Sequence, residues 1–133
     1  MAILHAQSGE VVDVRPLGVA IADCKTTALI KTHQFEIIRM VLLENKEIPV
    51  HSAKGDIIVQ CLEGHVTFTT MGKNVELHAG HLFYLKTGEP HSLKAVEDSS
   101  LMLTMLLHLD ASVAGASACL SSSDTRSIEE DGG

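Results

Sequence analysis

Turn signals at Glu63–Gly64, Met71–Gly72, Ala79–Gly80 and Thr87–Gly88 cut the second half of this chain into pieces of four to eight residues. Each pair supplies a glycine, which tolerates φ > 0, and Pro90 fixes the backbone just beyond the last. The pieces between them are rich in apolar and β-branched residues, and no segment holds apolar residues at helical spacing for long. Strands are therefore expected over 27–31, 35–43, 56–62, 66–71, 74–77, 81–85, 91–96 and 101–107. Short strands at this regular spacing indicate an all-β sandwich or barrel, and 133 residues suffice for one domain with one core.

The strands differ in what they expose. Val66 and Phe68 alternate with Thr67 and Thr69, so one face of that strand suits water. The run 101–107 is apolar on both faces and needs a second covering layer. Two layers are open: a second copy of the chain, which makes a homodimer, or an N-terminal strand at 11–17 of the same chain. Beyond residue 109 the character changes. Six Ser, four Ala and three Gly among residues 110–133 leave little apolar surface to offset the entropy of ordering. This tail is expected to be disordered, the alternative being a short helix near 113–120 packed on the barrel. The division is thus a barrel with its N-terminal strand segment at 1–109 and a tail at 110–133.

The tail also concentrates charge. Asp110, Asp124, Glu129, Glu130 and Asp131 against Arg126 give −5 + 1 = −4 of the net −7, leaving −3 on residues 1–109. An acidic chain is repelled by nucleic acid and by anionic membranes, so neither is the expected partner. Aromatic content of 3% without Trp removes base-stacking platforms as well. Cys24, Cys61 and Cys119 form no CxxC pair, which suits a reducing compartment. The first residues lack a basic leader with a long apolar run, and 101–107 is too short to span a bilayer as a helix, so the expected location is the cytoplasm. Nucleophile-elbow, phosphate-loop and dinucleotide motifs do not occur.

Two motifs between residues 51 and 91 resemble those of the cupin superfamily, a double-stranded β-helix or jelly-roll barrel. The second motif aligns Gly80, Gly88 and His91, with Lys86 where the family carries proline and Pro90 just before the histidine. In the first motif, counted back from Gly64, His51 takes one histidine position, while Ala53 stands at the other and Ile57 at the glutamate. The resemblance covers about residues 35–107. It implies a metal held by three histidines and a carboxylate inside the barrel, of which this chain keeps His51 and His91. A divalent ion (Fe, Mn, Ni or Zn) at these two is the implied cofactor, weakly held because the carboxylate of an iron facial triad is missing.

By strand parity Cys61 sides with Ile57 and Val59, whereas Asp56 and Gln60 point away. Val50, Ile57, Val59, Cys61, Phe68 and Tyr84 are the candidate walls of a barrel pocket. The remaining histidines, His33, His65, His78, His81 and His108, fall in or beside turns and strand ends, where a polar side chain needs no special role. Three functions follow from the resemblance and stay open. The first is binding of a small molecule in the barrel. The second is a metal-dependent dioxygenase or isomerase acting on a small acid or sugar derivative. The third is a non-catalytic, dimeric regulatory module.

Overall fold

The computed structural model describes residues 5–107, and within them nine strands form two antiparallel sheets. In chain order these are β1 (Thr27–Lys31), β2 (Phe35–Leu42), β3 (Glu47–His51), β4 (Ile57–Glu63), β5 (His65–Thr70), β6 (Lys73–His78), β7 (Leu82–Leu85), β8 (His91–Ala95) and β9 (Ser99–Leu106). One sheet has the order β1-β2-β9-β4-β7 and the other β3-β8-β5-β6. From β2 onward the chain passes from sheet to sheet, apart from the β5–β6 hairpin, which is the winding of a jelly roll. Among the described residues no helix is long and apolar enough to cross a membrane. The expectations for 110–133, including Cys119, and for His108 lie outside the described residues.

β3 is the strand that sequence periodicity misses. Pro49 cannot donate to a ladder, which argues against a central strand, but β3 is the outermost strand of its sheet, where a proline is tolerated. The expected N-terminal strand at 11–17 is instead irregular, with Arg15 folded back onto the Asp13 carboxylate and a short 3-10 helix, Gly18–Asp23, following it.

Alternation sorts the side chains as the pleat requires. Ile57, Val59 and Cys61 of β4, Val66 and Phe68 of β5, Leu93 and Ala95 of β8 and Leu101 of β9 form one buried cluster between the sheets. Burying each large member contributes about 2 kcal/mol, so a slip of one residue in any of these strands would forfeit several at once.

The outer face of the five-stranded sheet receives the N-terminal segment at one end. A bulge lets Cys61 pair with Leu101 but Glu63 with Ser100, which turns Glu63 from the core face to the outside. Its carboxylate accepts hydrogen bonds from the Leu17 and Gly18 N–H groups (2.8 and 3.0 Å) and the Ser100 hydroxyl (2.6 Å). Arg39 donates to the Arg15 carbonyl (2.7 Å). Burial opposes the charge on Glu63, yet these donors and the nearby Arg39 hold its pKa below the usual carboxylate value. The segment thus covers the Ser100 end of β9, while Ile58, Leu82, Tyr84 and Leu106 stay exposed.

Gly55 is where the turn before β4 passes under the end of β9. A side chain there would overlap the Leu106 carbonyl, on the residue whose N–H bonds to Asp56 O at 2.9 Å. Gly55→Ala is expected to cost about 2 kcal/mol or more in urea unfolding, because backbone and not a movable side chain blocks the new methyl. An unchanged midpoint would refute this close approach.

Candidate functional site

His91 is the first residue of β8, and its parity is that of the core residues Leu93 and Ala95. It therefore faces inward and is 4% exposed. His51 reaches it through a second bulge. β3 pairs with β8 as Ile48↔Leu93 and then His51↔His91, three steps on one strand against two on the other. Strict alternation from Ile48 would turn Val50 inward and His51 outward. The extra residue reverses this, leaving Val50 70% exposed and bringing the two imidazole centroids to 4.3 Å at an interplanar angle of 59°.

Both rings are held in the same way. Nδ1 of His51 bonds to the Pro49 carbonyl (3.0 Å), and Nδ1 of His91 bonds to the Glu89 carbonyl (2.9 Å), each two residues earlier. A carbonyl only accepts, so each Nδ1 carries a hydrogen and each neutral ring keeps its lone pair on Nε2. Neither Nε2 is engaged by a hydrogen bond among the described residues. Burial lowers the pKa of His91, with His51 adding to the effect and the Glu89 carbonyl opposing it, so His91 is neutral at pH 7. Behind the pair, Phe68 stacks on His91 (5.9 Å between centroids) and meets Phe83 (5.4 Å).

The loops that carry the two histidines are joined by Asp56. Its carboxylate accepts from Thr87 N–H (2.8 Å), Thr87 Oγ1 (2.7 Å) and Tyr84 OH (3.3 Å), while Gly88 N–H donates to the Ala53 carbonyl (3.1 Å). The Thr87 bonds lower the Asp56 pKa. Thr70, directly beside His91 on β5, donates to the Pro90 carbonyl (2.9 Å). Asp56 and Thr70 are thus positioning residues for this rim. Sequence parity turned Asp56 away from the interior but could not reveal its partners, which are 28 and 31 residues distant.

The other expected wall residues divide. Ile57, Val59, Cys61 and Phe68 lie in the core and pack against one another. Val50 and Tyr84, the latter 58% exposed, lie outside it and do not line the interior. Cys61 stands four residues along β4 from Ile57, roughly 13 Å at strand rise. Its thiol, raised in pKa chiefly by burial, bonds toward the Glu63 and Gly64 carbonyls. Ala53 and the 3% exposed Ile57 offer no lone pair, and among the described residues no three His, Cys, Asp or Glu side chains converge as metal ligands. The residues present do not fit a four-ligand metal centre.

A second histidine group lies on the outer face of the four-stranded sheet. His65 bonds to Glu76 (2.6 Å) and stacks on its cross-strand partner His78 at 4.0 Å, and His81 Nδ1 accepts the His78 N–H (3.0 Å). Thr67 Oγ1 donates to the same Glu76 carboxylate (2.8 Å).

The Cupin domain family model matches residues 38–107. Among solved structures, a conserved protein of unknown function from Streptococcus pyogenes is similar, with TM-score 0.64 and 22% identity over 83% of this chain and 100% of that one. A cupin superfamily protein from Desulfitobacterium hafniense aligns with TM-score 0.64 and 14% identity over 77% of this chain and 100% of that one. An RmlC-like cupin from Desulfovibrio desulfuricans gives TM-score 0.62 and 22% identity over 73% and 96%. At these identities the likeness shows the fold. No curated protein matches the sequence.

The lowered pKa of His91 links stability to pH. The unfolded chain takes up this proton near pH 6.5, the folded chain only below that, so acidification favours unfolding and nothing is contributed above about pH 7. Thermal stability is expected to fall between pH 7.5 and 5.5, and less so in His91→Gln. The carboxylates Asp56, Glu63 and Glu76, whose pKa values are lowered, lose their contributions only below about pH 4.5. Equal slopes in both proteins over pH 5.5–7.5 would refute the assignment.

Proposed function

We propose, from the premise that this chain belongs to the cupin family, that it is a small-molecule-binding cupin whose contact atoms are Nε2 of His51 and Nε2 of His91 at the barrel rim. The observation that carries this is the matched anchoring of the two rings. Each Nδ1 proton is committed to a backbone carbonyl, which fixes the tautomer of a neutral ring and leaves the two Nε2 atoms as the free ring nitrogens of the pair. Because Phe68, Ile57 and Val59 fill the space behind them, binding takes place at the rim and not in a deep interior cavity. A weakly held divalent ion is the second reading, favoured by the same tautomers, since Nδ1-to-carbonyl bonds also orient metal-binding imidazoles. Two nitrogens without a carboxylate make it the weaker one.

Long-range 1H–15N spectra of the purified protein test this. The two rings are expected to show the Nδ1–H tautomer, and their Nε2 resonances to respond to a panel of small alcohols and acids or to added Zn2+. His51→Ala should remove the response while leaving the fold intact, and metal content measured on the same samples separates the two readings. Silent Nε2 resonances, with no metal bound and unchanged stability in His51→Ala and His91→Ala, would overturn the function.

The same proposal includes self-association through the uncovered part of the five-stranded sheet. Leu82 and Tyr84 of β7, Ile58 of β4 and Thr104 and Leu106 of β9 lie on its outer face, with the Asp56 carboxylate bonded to the Tyr84 hydroxyl at one end. Two copies related by a two-fold axis would bury these apolar side chains against one another. Light scattering is expected to give a dimer at micromolar concentration that Ile58→Asp converts to a folded monomer. A monomeric wild-type protein would remove this part of the proposal.

A further inference from the structure

Arg39 is a half-buried guanidinium that no carboxylate holds. Its parity in β2 opposes that of Met40 and Leu42, which pack in the core, so it projects from the outer face of the five-stranded sheet. There Nη2 donates to the Arg15 carbonyl (2.7 Å), its one acceptor among the described residues. Nε is buried without a partner, and among the described residues Arg39 forms no ion pair. A charge withdrawn from water is ordinarily paired, since its desolvation is otherwise uncompensated. The chain has 17 acidic residues against 10 basic ones, so carboxylates are not in short supply.

Two carboxylates feel the charge of Arg39, and both are engaged elsewhere. Glu63 accepts from the Leu17 and Gly18 N–H groups and the Ser100 hydroxyl, which pins the loop of residues 15–18 over the sheet. Asp13 accepts from Arg15 Nε (3.0 Å) and Nη2 (2.7 Å). These bonds, with a smaller part from the charge of Arg39, push the Asp13 carboxyl down to about 2. An anion in the place of Asp13 therefore lies in the field of both arginines. The Asp13–Arg15 pair itself is exposed, its side chains 58% and 85% open to water, and an ion pair so exposed is weakly held.

Asp13, Arg15, Pro16, Leu17 and Arg39 line a cleft of about 440 Å3. Because Nη2 of Arg39 is bonded to the backbone of Arg15, the guanidinium end of Arg39 borders this cleft. Lys25 lines an adjoining cleft that shares Leu17 and Arg39, and adds a third positive charge nearby. The volume falls in the range of roughly 300–1,000 Å3 usual for small-molecule sites, and Pro16 and Leu17 offer apolar surface to a body larger than a bare ion. A guanidinium shares its charge over a planar fork that matches two oxygens of a carboxylate or phosphate. We propose that this cleft binds a small organic oxyanion, carboxylate- or phosphate-headed, whose head takes the place of Asp13 between Arg15 and Arg39. The site is on the outer face of the sheet, away from the inward-facing His91, and does not depend on the reading of the histidine pair.

The probes are the two heads themselves, inorganic phosphate and acetate, each titrated into full-length protein carrying 15N arginine and 15N histidine and compared with sodium chloride of equal ionic strength. The side-chain N–H resonances of Arg39 and Arg15 are expected to shift saturably, with a dissociation constant on the order of 1–10 mM for so small a head, and to drift little with chloride. Whichever probe saturates at the lower concentration identifies the head. Asp13→Asn, which removes the competing carboxylate, should tighten binding roughly threefold or more. Arg39→Lys keeps the charge and loses the planar fork, and should weaken binding roughly fivefold, while Arg39→Gln should abolish it. If Arg39→Gln does not fold, the wild-type protein and Asp13→Asn decide the matter. The proposal is overturned if neither probe moves Arg39, if chloride reproduces the shifts, if they are confined to His51 and His91, or if Asp13→Asn binds no tighter than the wild-type protein.

Discussion

The register of β8 is the constraint on which the rim depends. His91, Leu93 and Ala95 share one face of that strand, and β8 is paired on both sides, with β3 and with β5. Leu93 and Ala95 are locked into the core, so His91 has no freedom to face elsewhere. Turning it outward would require a one-residue slip that also expels Leu93 and breaks two ladders. The polar end of the strand is held in place by the apolar remainder. Burial then does chemical work as well, because the same packing that fixes the ring removes it from water and keeps it neutral.

Two of the three register shifts in that frame each redirect one polar side chain. In β3 the extra residue turns His51 toward His91. In β4 the irregularity after Cys61 turns Glu63 outward, where it gathers Leu17, Gly18 and Ser100. The same device thus builds the rim on one face and fastens the N-terminal segment on another. Asp56 adds the cross-link the bulges cannot supply, since it joins the turn before β4 to the loop before β8. The geometry of the imidazole pair therefore depends on residues that contact neither ring.

These devices mark the limits of what the sequence shows. Glycine turns and alternation sufficed for eight of the strands and for the shared inward parity of Ile57, Val59, Cys61 and Phe68, because each depends on local backbone preference or a period of two, although these side chains pack as core and do not wall a pocket. β3 was hidden by Pro49, whose cost disappears on an edge strand, a property of the sheet order and not of the segment. Val50 lies outside the interior because a bulge follows Ile48, and nothing in the residues Pro49 and Val50 announces one. Tyr84, expected as a wall of the pocket, lies outside because its parity opposes that of Leu85, which is in the core. The covering of β9 was legible as a need, but which layer meets it depends on the path of the N-terminal segment, set by contacts between residues 45 and 46 apart.

Where the resemblance implies a carboxylate this chain carries Ile57, and an isoleucine there bears on what the rim can hold. A carboxylate among the imidazoles would offset much of the cost of removing a dication from water, which otherwise amounts to several kcal/mol per charge. With an isoleucine there, 3% exposed and packed on Val59, that compensation is missing and the surrounding surface is apolar. A neutral molecule escapes the penalty. It needs only a hydrogen to give to Nε2 and an apolar body to lay against the neighbouring side chains, and its binding gains from the desolvation that opposes an ion. Two imidazoles with their Nδ1 protons tied to backbone cannot rotate to become donors without breaking those bonds. Under the proposed function, the rim would select by hydrogen-bond polarity before it selects by size, accepting donors and rejecting groups that only accept.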